Sequence, residues 1–140
     1  RELFDFVETY ARTGEPSPTT VLLMAAARRD FFLTVQHGQF YQGKPVIGYD
    51  LPGFGDELCG LPYLPRLIAK ARAKLVGSMG DDIIYCCEND RRFFRDHGNI
   101  HPADFLRVVW AAGDSDPKVY DYVRQRTLSV SSAVLDNEQT

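Results

Sequence analysis

The sequence predicts an all-α fold, a compact bundle of five or six short helices with Gly/Pro-rich connections. Three observations carry this. Apolar residues recur at three- and four-residue spacing along most of the chain. Proline or a capping residue precedes the periodic runs and glycine follows them. Residues 61–77 form the most strongly specified helix, and the rest is organised around it.

The first run places Leu3, Phe6, Val7, Tyr10 and Ala11 on one face, with Glu2, Asp5 and Glu8 near the start, where the helix dipole favours acids. Gly14 ends it. Ser17-Pro18 then reads as an N-cap with a first-turn proline. Residues 21–27 are apolar on nearly every side, which predicts deep burial. Residues 31–42 read two ways. Phe31 to Val35 either continue the helix to His37, with Gly38 as its stop, or form a β-hairpin returning through Phe40 and Tyr41. The continuing helix is preferred, because it extends a strong helical run.

Residues 42–61 hold seven Gly and Pro residues and three acids, Asp50, Asp56 and Glu57. This predicts a long loop acting as a joint rather than a domain boundary, since neither side alone has much core. The central helix follows. Pro65 opens it, Gly77 closes it in a left-handed cap, and Leu64, Leu67, Ile68, Ala71 and Leu75 form its inward stripe. Arg66, Lys70 and Lys74 run along one flank and Arg72 along the other. With no acid inside the helix, neighbouring cations at that spacing repel by about 0.2–0.5 kcal/mol per pair. Relief must come from carboxylates elsewhere in the chain, from a bound anion or from water.

Beyond it, Gly77-Ser78-Met79-Gly80 reads as a turn. The Asp81 and Asp82 that follow would repel a nucleic-acid phosphate. Asn89 or Asp90 caps a short helix carrying Phe93 and Phe94 that stops at Gly98. The next helix has His101 at the cap, Pro102 first and Asp104 third, with Ile100 and Phe105 as a hydrophobic staple. It stops at Gly113. Ser115-Asp116-Pro117 opens the last helix, which buries Val119, Tyr122 and Val123. From Leu128 the chain turns small and polar, which predicts a flexible tail. The organisation is one domain over 1–140: an N-terminal helical part (1–48), a helical core (49–127) and a tail (128–140).

The run from Gly60 through Arg66, Lys70 and Arg72 to Gly77, followed by Gly80, resembles the motif of an uncharacterised bacterial family. That family is domain of unknown function fifty sixty-nine. Cys87 and Asp90, three apart, with Phe93 and Phe94, are similar to its second part. The resemblance covers roughly residues 49–126. It implies a fold and no established activity. Ala69 departs from the family's usual Asp, and Cys86-Cys87-Glu88-Asn89 from its Cys-Pro turn.

The chain of 140 residues is long enough to bury about two-thirds of its unfolded surface. A net charge of −3 argues against general nucleic-acid binding. No apolar run reaches membrane-spanning length, and no signal peptide is visible. Three cysteines without scaffold spacing suit a reducing, cytoplasmic setting. Neither a membrane partner nor a cofactor is expected. A zinc site drawn from Cys86, Cys87, His97 and His101 lacks the needed spacing.

Three functions fit. The first is a binding or accessory module in which Arg66, Lys70, Arg72 and Lys74 hold a small anionic ligand or an acidic protein segment. The plainer reading of those residues is a solvated face with intrachain ion pairs. The second is a small cofactor-independent enzyme, with Cys87 as nucleophile or acid, tuned by Asp90 and Arg72. Its plainer counterpart is a buried cysteine acting as a small hydrophobe. Asp90 reads first as a helix cap or as the partner of Arg66 or Arg72. The third is a structural protein or homo-oligomer that uses Phe31, Phe32, Phe40 and Tyr41 as a contact surface.

Overall fold

The structure is a computed structural model. It describes the backbone of residues 2–139 and the side chains of residues 5–131. Six helices follow in order: α1 (Glu2–Thr13), α2 (Pro18–Thr34), α3 (Leu64–Val76), α4 (Glu88–Asp96), α5 (Pro102–Ala112) and α6 (Asp116–Gln139). Two short antiparallel strands, β1 (Glu57–Leu58) and β2 (Leu61–Pro62), pair just before α3. The fold is all-α with one small hairpin.

Helix α3 lies at the centre, in contact with α2, α5, α6 and β1. Leu64, Leu67, Ile68, Ala71 and Leu75 are all buried, as the stripe requires, and Gly77 adopts φ +81 as its left-handed cap. Neighbours on several sides also bury Ala73 and the cationic Lys70. The core continues through Phe93 and Phe94 of α4, Phe105, Leu106 and Val109 of α5, and Val119 and Val123 of α6. Two predicted helix starts hold as well, whereas α4 is capped at Cys87 rather than at Asn89 or Asp90. Ser17 Oγ accepts from the Thr20 amide at 3.1 Å, and His101 Nδ1 accepts from the Ala103 amide at 3.1 Å.

Residues 31–34 continue α2, the preferred reading, and the chain then turns through His37 (φ 52) and Gly38 rather than forming the alternative hairpin. Three expectations need correction. The hairpin forms at 57–62, inside the predicted loop, where Gly60 (φ +80) accommodates the reversal. The apolar run 21–27 is not deeply buried throughout. Met24 and Ala27 face the core while Leu22 and Leu23 are exposed, because α2 lies on the α3/α5 surface and offers it one face. Finally, α6 continues through Gln139 where a tail was expected, because no Gly or Pro follows Pro117 to interrupt it.

The N-terminal part is stitched to the centre. Arg28 Nε donates to the Lys74 carbonyl at 3.2 Å and Gln36 Nε2 to the Val76 carbonyl at 2.9 Å. Both satisfy carbonyls that the end of α3 leaves free. Val46 bridges Met79 in parallel, and the Gly80 amide donates to the Val46 carbonyl at 2.7 Å. A Cβ on Gly80 would stand 2.9 Å from that oxygen, so the close approach needs glycine.

Candidate functional site: a buried carboxylate beside a half-buried thiol

Asp90 occupies the third position of α4, where its side chain turns back over the helix start. Its Oδ2 accepts from the Cys86 amide at 2.8 Å and the Cys87 amide at 3.3 Å. The Lys70 ammonium sits 2.7 Å from the same oxygen. Oδ1 accepts from the Tyr63 hydroxyl at 2.5 Å. Asp90 is 0% exposed and Lys70 4%. Such a pair survives burial only because hydrogen bonds satisfy the carboxylate on both oxygens.

Two strained residues meet this carboxylate. Tyr63 has φ 75 and Cys86 φ 73, left-handed values that cost a non-glycine residue on the order of 1–3 kcal/mol. Tyr63 is also held by its amide, which donates to the Asp56 carbonyl at 3.0 Å, and by its ring, 6.1 Å from that of Phe93. Phe93 in turn stacks on His97 at 4.1 Å. The left-handed turn at Cys86 is what lets two successive amides converge on one oxygen.

Burial sets the electrostatics. The Cys86 thiol is pushed up from about 9 to about 12, first by burial and then by the Asp90 charge. Tyr63 is raised well above the ordinary phenol value by burial, then by the charge of Asp90 and the hydrogen bond to it. Tyr85, whose hydroxyl donates to the Pro102 carbonyl at 2.7 Å, is also raised, chiefly by burial. These phenols and the Cys86 thiol keep their protons at neutral pH.

Cys87 differs from Cys86. It is half-buried, stands at the N-cap of α4, and accepts from Lys70 Nζ at 3.4 Å. A sulfur at a helix start beside an ammonium is the usual setting of reactive thiols. Cys87 also lines a cavity of about 230 Å³ between α1 and α4, with Asp5, Arg12, Glu88 and Arg91 on the wall.

The structure thus joins Cys87 and Asp90 and adds Lys70, which the sequence had grouped with the other cations of α3. Those cations do not converge. Arg72 donates to the Gly113 carbonyl at 3.0 Å and to Asp116 at 2.5 Å, at the start of α6, and does not touch Cys87 or Asp90. Arg66 donates to the Pro52 carbonyl at 2.9 Å and lies over the Phe54 ring at 4.2 Å. Lys74 lines another cavity with Arg28 and Asp81, which shares Asp5 and Ile84 with the cavity beside Cys87. Two of the four cations, Lys70 and Arg72, pair with carboxylates of the same chain, Asp90 and Asp116. Asp56 and Asp82 instead accept from loop amides of Gly53 and Gly48, both at 2.8 Å.

Asp90 both caps and pairs, with Lys70 rather than Arg66 or Arg72. Tyr63 is the member that sequence reasoning missed. No periodicity marked it, because Tyr63 stands just before α3 in a left-handed conformation that helical spacing does not describe. His97 and His101 serve elsewhere, one stacked on Phe93 and the other capping α5. Among the described residues, no group of three His, Cys, Asp or Glu stands close enough to hold a metal ion.

A family model described as Domain of unknown function (DUF5069) matches residues 55–135, more than half of the chain. The chain belongs to the DUF5069 family. The DUF5069 match takes in Tyr63, Lys70, Cys87 and Asp90 together and reaches into α6, while α1 and α2 lie outside it. Neither the curated proteins nor the solved structures contain a match.

Proposed function

We propose that this DUF5069 chain is a thiol-centred protein in which Cys87 reacts covalently with a small polar electrophile held between α1 and α4. The observation that carries the reading is the 3.4 Å contact from Lys70 Nζ to Cys87 Sγ, at the start of a helix and on the wall of a cavity. In the reaction a sulfur–carbon bond forms, and the thiol proton passes to the atom of the electrophile that receives the displaced electron pair. Asp90 is too deeply enclosed to touch a substrate. It is a positioning residue that fixes Lys70 and the two cysteine amides. The wall carries Arg12 and Arg91 but also Asp5 and Glu88, which favours a ligand of balanced charge over a bare anion.

Alkylation with iodoacetamide tests this, with the exposed Cys59 as internal reference. Cys87 should be modified more than about tenfold faster at neutral pH. Equal or slower modification of Cys87 overturns the reading.

A second reading, homo-oligomerisation, is supported by the outer surface of α2 and the turn after it. Leu22, Leu23, Leu33 and Phe40 are exposed there, Phe40 by 71%. Of the predicted contact residues, Phe31 instead packs edge-on against Trp110 at 5.4 Å and Phe32 against Phe40 at 4.9 Å, while Tyr41 stays exposed. Sizing over a range of concentrations tests it. A mass that stays at one chain throughout removes it.

A further inference from the structure

We infer that Lys70 and Cys87 form an oxidative modification site, at which peroxide converts the pair into a covalent sulfur–nitrogen crosslink between α3 and the start of α4. The inference rests on the same accessible sulfur as the proposed function but needs no substrate and no turnover. Three observations carry it. Lys70 Nζ already lies 3.4 Å from Cys87 Sγ, so the nitrogen is in contact with the atom that oxidation makes electrophilic. Lys70 cannot swing away, being 4% exposed and bound at 2.7 Å to Asp90. Cys87 is the half-buried member of the vicinal pair and lines a cavity that admits a molecule as small as peroxide.

The chemistry balances with hydrogen peroxide as the oxidant. The Cys87 thiol first reduces one peroxide, giving the sulfenic acid and one water. Lys70 then passes an ammonium proton to the Asp90 carboxylate, and its lone pair attacks the sulfur. The S–N bond forms as the S–O bond breaks. The departing hydroxide takes a second proton from the nitrogen and leaves as water. The product has lost two hydrogens relative to the starting pair. It contains a neutral sulfenamide and a protonated Asp90 in place of the ion pair.

The competing trap is Cys86, the adjacent thiol. Adjacent cysteines bridge poorly, because their Cβ vectors diverge. Cys86 is also fully buried, and its amide is held on Asp90. The only thiol elsewhere in the chain, Cys59, is exposed on the β1–β2 turn. Lys70 is therefore the group best placed to intercept an oxidised Cys87. The crosslink would withdraw Cys87 from covalent chemistry until a thiol reductant reopens it.

Mild peroxide treatment of the full chain, followed by proteolysis and mass spectrometry without reductant, tests the inference. The expected result is a joined Lys70–Cys87 peptide pair, lighter than the sum of its parts by two hydrogens, which disappears on adding dithiothreitol. Cys87 found as sulfinic acid, or in a disulfide with Cys86, with no joined peptide, overturns it. Because the wild-type mass decides the question, the outcome does not depend on whether a Lys70 variant folds. The Lys70→Arg variant, if folded, should give sulfinic acid at Cys87 instead. Fast alkylation of Cys87 without a crosslink would sink this inference alone. Slow alkylation with a crosslink would sink only the proposed function.

Discussion

Asp90 is the residue on which most of the site depends, and its effect can be tested by removing one charge at a time. Replacing Lys70 by Met leaves a buried, uncompensated carboxylate, which should cost about 3–5 kcal/mol of stability in urea unfolding. Asp90→Asn should cost a similar amount, since it strands the Lys70 ammonium. The Lys70→Met/Asp90→Asn double variant should be less destabilised than the two single losses summed, because no charge is then left buried. Strict additivity would show that lost packing, not an orphaned charge, causes the effect. Arg72 gives the contrast. Its pair with Asp116 is more than a third exposed on both sides. Arg72→Ala should therefore change stability by less than about 1 kcal/mol. It should also leave the alkylation rate of Cys87 unchanged; a slower rate would restore Arg72 to the thiol site.

Alkaline pH probes the same residues. Cys86, Tyr63 and Tyr85 all hold their protons more tightly in the folded chain. Below about pH 9 they are protonated whether the chain is folded or not, and their contribution is complete. Above that, the unfolded chain releases protons that the native chain keeps. Stability should therefore fall as pH rises through about 9 to 12, the window of Cys86. The slope is about 1.4 kcal/mol per pH unit for each group titrating only in the unfolded state. Urea midpoints at pH 8 and pH 10.5 check this, and an unchanged midpoint would contradict it. Little of this was readable beforehand. Cys87 and Asp90 stand three apart, the spacing of a helix cap, but nothing in the sequence says which of four cations faces them.

At the scale of elements, chain punctuation was far more legible. Ser17-Pro18, His101-Pro102, Gly77 and Gly113 mark helix ends through local backbone chemistry, which needs no distant partner. The β1–β2 hairpin was not legible, because two-residue strands carry no measurable alternation. Gly98 shows where local and distant requirements meet. It stops α4 at φ +90, and an added Cβ would stand 2.6 Å from the Arg126 carbonyl carbon and oxygen. Gly98→Ala should cost more than about 1 kcal/mol in thermal or urea unfolding. A neutral result would mean that α4 and α6 can separate at this contact without loss.

For the whole molecule, the DUF5069 match begins at residue 55, yet the core does not. Met24 and Ala27 of α2 are buried in the same cluster as Leu67, Ile68 and Phe105. A fragment starting at residue 49 should therefore expose apolar surface on α3 and α5. It should bind a hydrophobic dye and unfold without a cooperative transition. Cooperative unfolding without dye binding would show that the family segment folds alone.

The sequence by itself determined the helices, most of their ends and the inward stripe of α3, because these follow from spacing, propensity and capping within a few residues. It also determined that the cations of α3 need counterparts. Only the tertiary structure decided which counterparts: Asp90 for Lys70, Asp116 for Arg72, and a carbonyl and an aromatic face for Arg66. The reason is physical. A charge acts through space on whatever packing brings within a few ångströms, and the order of residues along the chain does not encode that distance.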